Sequence, residues 1–124
     1  MNRVSKDLIE ACKEKLLETK MDVLNRTRTN HSHLLDSSSE KGGDEADQTS
    51  RQLEESHAVL NHMRLREFLK EIEYALARIQ NGTYGICEET SDPIEPARLI
   101  AIPWTRLSIE GAEIRESVSK KYAK

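Results

Sequence analysis

Cys87, Thr90, Ser108 and Gly111 stand at the spacing C-x2-C, x17, C-x2-C, the frame with which a four-cysteine zinc ribbon brings its thiolates onto one tetrahedral ion. Only Cys87 can supply a thiolate. Thr90 and Ser108 offer neutral hydroxyls and Gly111 has no side chain, so zinc binding is not expected and no other cofactor is implied. Structural zinc contributes on the order of 10–16 kcal/mol to folding, and something must replace it. Tyr84, Ile86, Ile94, Leu99, Ile100, Ile102, Trp104, Leu107, Ile109 and Ile114 offer a comparable gross sum at roughly 1.5–3 kcal/mol per buried side chain, before chain entropy is subtracted. Trp104 is expected in this core rather than as a ligand platform.

The second constellation is acidic. Asp44 and Asp47, in Gly43-Asp44-Glu45-Ala46-Asp47, share the first turn of any helix that begins near Asp44. Capping and the macrodipole stabilise such acids by about 0.3–1 kcal/mol each, which is a sufficient reason for their presence. At the end of a long arm, the same pair could also meet a bound metal ion or a basic pocket. The histidines add no site. His31 and His33 point to opposite sides of a helix, His57 and His62 are five apart and do not share a face as an i,i+4 metal pair would, and all four are expected in solvent. No Gly-rich phosphate loop, nucleophile elbow or catalytic triad is present, so the chain is not expected to be an enzyme.

Elements must place these groups. From about Lys6 to Asp36, Leu8, Ile9, Ala11, Cys12, Leu16, Leu17, Met21, Val23, Leu24, Leu34 and Leu35 recur at helical spacing without Gly or Pro, which predicts a helix of ~45 Å. Its stretch from Asn25 to His33 is almost wholly polar and suits an element beside a partner helix, outside a globular core. Ser37 to Gly43 breaks the pattern with turn formers. Ala58, Leu65, Phe68, Ile72, Ala75 or Leu76, and Ile79 then keep a coiled-coil seam up to Gln80, where Asn81-Gly82 stops the helix. Neither helix would be stable alone, and pairing their seams remedies this. Residues 1–82 therefore read as an antiparallel coiled-coil hairpin with its tip at 37–47. Residues 83–124 read as a small loop-rich lobe carrying Pro93, Pro96 and Pro103, followed by a helix from Glu110 to Tyr122. The expected fold class is mainly α: a long helical hairpin, a degenerate zinc-ribbon lobe and a C-terminal helix.

Composition narrows the function. With 124 residues, 33% charged and 4% aromatic, the chain suits solvated helices with a narrow buried seam. Its net charge of −3 disfavours direct binding of DNA or RNA, which needs several phosphates neutralised. No apolar run approaches the ~20 residues that span a bilayer, and Met1 to Ser5 leads into amphipathic sequence without a signal-peptide core. Two thiols, Cys12 and Cys87, suit a reduced compartment, and a cytoplasmic location is expected. Asn81-Gly82-Thr83 matches a glycosylation sequon but reads as a helix stop.

Asp44-Glu45-Ala46-Asp47-Gln48-Thr49 resembles the Asp-x-x-Asp-x-Ala tip of the DksA/TraR family of RNA polymerase-binding regulators. Tyr84-Gly85-Ile86-Cys87-Glu88, Ile94, Arg98-Leu99, Ala101, Pro103 and Ala112 to Glu116 resemble the same family's zinc-finger lobe and C-terminal helix. The resemblance runs from about Asp44 to Glu116 and marks a zinc-ligand-depleted member. It implies bacterial RNA polymerase as partner, with the hairpin in the secondary channel. Asp44 and Asp47 would then be the tip acids, Thr49 stands for the usual Ala, and Arg64 falls where a basic coil residue contacts polymerase. It also implies that synergy with the stringent-response alarmone ppGpp is weak or absent, or uses other residues, because Glu71 and Ile102 align with basic ppGpp-binding positions. A self-paired hairpin is expected to be monomeric. Two other readings compete: a Gre-like stimulator of transcript cleavage, in which tip acids hold a metal ion, and a structural or adaptor coiled coil whose acids are only caps.

Overall fold

The computed structural model describes residues 5–39 and 45–122, and the side chains of these except 32–39, 45 and 46. Four helices follow in chain order: α1 Lys6–Ser39, α2 Glu45–Asn81, α3 Pro96–Ala101 and α4 Ile109–Tyr122. The first two form the long antiparallel hairpin. Among the described residues, β structure is limited to an isolated bridge between Ile86 and Pro93. Among the described residues, no helix is long and apolar enough to cross a membrane.

Local chemistry sets the helix ends. Ser5 starts α1, its Oγ accepting from the Leu8 amide at 3.2 Å as an N-cap does. The helix runs past Asp36 to Ser39 because serine costs a helix only a few tenths of a kcal/mol; the break expected at Ser37 falls later. α2 closes in a Schellman motif. Gly82 has φ +78°, the Thr83 amide donates to Arg78 O at 2.9 Å and the Gly82 amide to Ile79 O at 3.3 Å, so the last carbonyls are satisfied.

The chain packs as two compact units. Residues 20–70 form one, where α1 and α2 meet along a thin seam. Val23, Ala58 and Leu65 are buried there, and Asn30 Nδ2 donates across the pair to Ala58 O at 2.8 Å. His62 departs from expectation. It lies on the seam between Ala58 and Leu65, half-buried, and its Nδ1 is shielded with no hydrogen-bond partner among the described residues. His31 and His57 are exposed as expected, and the side chain of His33 lies outside the described residues.

Residues 1–19 and 71–124 form the other unit. Its centre joins Cys12 and Leu16 of α1, Ile72 and Ala75 of α2, and Tyr84, Ile94 and Leu99 that follow, all buried. Lys15 Nζ donates to Ile100 O at 2.7 Å and caps the C-terminus of α3, where a cation suits the dipole. Burial pushes the Tyr84 hydroxyl up, with Cys12 beside it adding to the effect; the protonated group donates to Pro103 O at 2.8 Å.

The core expected to replace zinc is smaller than its sequence suggests. Ile86, Ile100, Ile109 and Ile114 are exposed, while Ile102, Trp104 and Leu107 are half-buried. Leu99 faces inward on α3, and Ile100, one residue on, is turned about 100° away. In α4 the buried residue is Gly111, so that helix approaches by its backbone and leaves its isoleucines outside. Cys87, Pro103, Thr105 and Ser108 fill the remaining space.

Candidate functional site

The four frame positions converge. Cys87 is 1% exposed and heads a tight knuckle: its amide donates to Asp92 O at 2.8 Å, and its carbonyl accepts from the Ser91 amide at 2.9 Å. Ser91 takes φ +62° to make this turn. Ser108 precedes α4 and its Oγ accepts from the Gly111 amide at 3.0 Å, an N-cap bond. Burial would raise the Cys87 thiol, but hydrogen bonding from the side chains and backbone of Ser108 and Thr90 outweighs it and brings the pKa down to about 6. A Cβ built on Gly111 would press into Cys87 Sγ, well inside van der Waals contact, with Glu89 Cβ at 3.3 Å and Ser108 Oγ at 3.4 Å.

Charged groups bind α4 to the knuckle. Arg115 Nε donates to Glu89 at 3.0 Å and its terminal nitrogen to Glu88 at 3.4 Å, and Glu95 accepts from the Ile109 amide at 3.1 Å. On α2, Glu71 receives a bidentate bond from Arg106, both N···O distances 3.0 Å. The same guanidinium lies 4.9 Å from the centroid of the Tyr74 ring. Farther along α2, Arg78 donates to Trp104 O and Thr105 O at 3.3 Å each. Burial first, and the Arg106 charge second, lower the Arg78 pKa.

Sequence reading missed this network, since the partners lie far apart along the chain. It also missed α3, although Pro96 at the first helical position is a recognised start signal.

At the other end of α2, Asp47 and Thr49 lie within its first two turns, both exposed and each engaged in an interaction within the molecule. Asp44, with the rest of 40–44, lies outside the described residues. Arg64 is exposed and borders a groove with Asn30, His57 and Asn61.

The prokaryotic dksA/traR C4-type zinc-finger family matches residues 82–117. The RNA polymerase-binding transcription factor DksA of Caulobacter vibrioides is 37% identical over 108 residues, covering 87% of this chain and 75% of that protein. The chain belongs to the DksA/TraR family. An uncharacterised protein of Aquifex aeolicus is 38% identical over 123 residues, 96% of this chain and 83% of its own. The structure of transcription factor DksA2 from Pseudomonas aeruginosa superposes with a TM-score of 0.83 at 28% identity, covering 94% of this chain and 88% of that one. The C4 designation of the DksA/TraR finger implies zinc, and the residues present do not fit it. A structural zinc ion needs four strong ligands, whereas this frame holds one thiol, two hydroxyls and a bare Cα, and no group of three or more His, Cys, Asp or Glu that could hold a metal occurs among the described residues.

Proposed function

We propose that the protein is a transcription regulator that binds bacterial RNA polymerase through its secondary channel and modulates initiation with the acidic end of its hairpin, without zinc. It is a regulator and not an enzyme. Support comes from the similarity to a DksA named for polymerase binding and from the DksA2-like fold. The observation that carries the reading is the long hairpin with an exposed Asp47 in the first turn of its second helix.

In this reading residues 1–82 are the effector hairpin, and residues 83–124, with α4, grip the channel rim. Asp44 and Asp47 act near the polymerase active centre, where carboxylates change the field felt by metal ions and phosphates. Thr49 flanks them, and Arg64 contacts polymerase. Binding is to polymerase, in the cytoplasm, without direct DNA contact. Glu71 stands where a base would meet the nucleotide's phosphates and an acid repels them, so ppGpp synergy is weak or absent, or uses other residues. A pull-down with core RNA polymerase, with metal analysis of the purified protein, tests the reading. Stoichiometric co-purification with no zinc is the expected result, and failure to co-purify favours the adaptor coiled coil. Stimulated cleavage of backtracked transcripts, without an effect on initiation, would replace it by the Gre-like reading.

A further inference from the structure

In a tetrahedral zinc site each sulfur lies ~2.3 Å from the ion, so two sulfurs stand about 3.8 Å apart with their Cβ atoms farther out still. This frame is tighter than that. The position that a Cβ of residue 111 would take overlaps Cys87 Sγ.

We infer that the sulfur of Cys87 occupies the space a side chain at 111 would need, so that Cys87 and Gly111 are a size-exclusive pair and the frame is closed as well as stripped of ligands. The backbone is held on both sides, so relief would require the buried Cys87 side chain to rotate or α4 to move. The Cys87 backbone is held by Asp92 O and Ser91 N, and the next amide, Glu88, donates to Arg106 O at 2.9 Å. The first turn of α4 is held by Ser108 Oγ on the Gly111 amide and by Glu95 on the Ile109 amide, and the second turn by Arg115 on Glu89. A side chain at 111 must therefore displace the thiol from a buried position or push α4 off the knuckle. Glycine stands here for close approach, and no positive φ is needed.

The sign of one substitution separates this from ordinary helix behaviour. Alanine is a better helix former than glycine, so propensity alone predicts that Gly111→Ala raises Tm. The size-exclusive pair predicts a fall of roughly 5–15 °C, the scale of overpacking in a domain of this size. Cys87→Ala, which leaves a void, lowers Tm less. The double variant Cys87→Ala with Gly111→Ala melts above Gly111→Ala, because the added methyl enters the space the sulfur leaves. If Gly111→Ala does not fold, recovery of folded protein in the double variant is the expected result. A Gly111→Ala protein that melts at or above wild type overturns the inference, and so does a double variant no more stable than Gly111→Ala. These readouts are melting temperatures alone and do not depend on polymerase binding.

Discussion

Cys87 shows how one atom can serve two folds. In a zinc ribbon its sulfur would be one of four ligands; here it is buried beside the N-terminus of α4, where Ser108 and Thr90 favour the thiolate over the thiol. The pKa is lowered from 9.0 to about 6, and a depressed acid adds stability that is complete above the unfolded value and lost as pH falls through the folded one. Cys87→Ala should therefore cost more stability at pH ~9 than at pH ~5, and thiolate ultraviolet absorbance in the wild type should titrate near pH 6. Equal destabilisation at both pH values would contradict this. In the proposed reading of the hairpin's acidic end, Asp44→Asn with Asp47→Asn removes charge while nearly keeping side-chain size. Effects on initiation in a purified transcription assay should disappear, while affinity for polymerase falls less than about fivefold, since the two exposed charges together contribute ~1 kcal/mol or less to affinity. Loss of binding itself would reassign the acids to docking.

At the scale of elements, α1 has several faces that could have served as the seam, and packing selects one. Leu16 is 0% exposed and Leu17 is 45% exposed. Leu16→Ala should cost about 2–5 kcal/mol in urea unfolding, and Leu17→Ala within ~0.5 kcal/mol of zero; similar costs for both would mean a different register. Between α2 and the segment before α4, the Glu71–Arg106 pair is geometrically strong, bidentate and stacked on Tyr74, yet its side chains are 39% and 30% exposed. Solvent screening limits its contribution to about 1 kcal/mol. A double-mutant cycle with Glu71→Gln and Arg106→Met should return a coupling of that size, and none if the pair is only a surface contact.

For the whole molecule, the consequence of a closed frame is a change in what controls folding. A zinc lobe unfolds when its metal is chelated; this one is held by the buried set Leu16, Ile72, Ala75 and Leu99 and by polar bonds between α4 and the knuckle. Saturating EDTA should leave Tm unchanged, and protein treated with EDTA and then freed of it should keep its full transcriptional effect. Loss of either, reversed by one equivalent of zinc, would refute zinc independence.

The sequence alone determined that there are two long helices, where α2 stops, that a four-position frame spans the lobe with one thiol left in it, and which family the chain resembles. These signals are local: a cap, a Schellman glycine or a period of 3.6 acts within a turn or two of its own helix. Tertiary structure decided the rest. It chose Ala75 over Leu76 for burial, drew His62 onto the seam, left Ile86, Ile100 and Ile109 in solvent, gave Glu71 a partner in Arg106 and closed α4 onto Cys87. Burial and close approach depend on which distant segments meet, as when Lys15 reaches Ile100 O, and no pattern within one helix encodes that meeting.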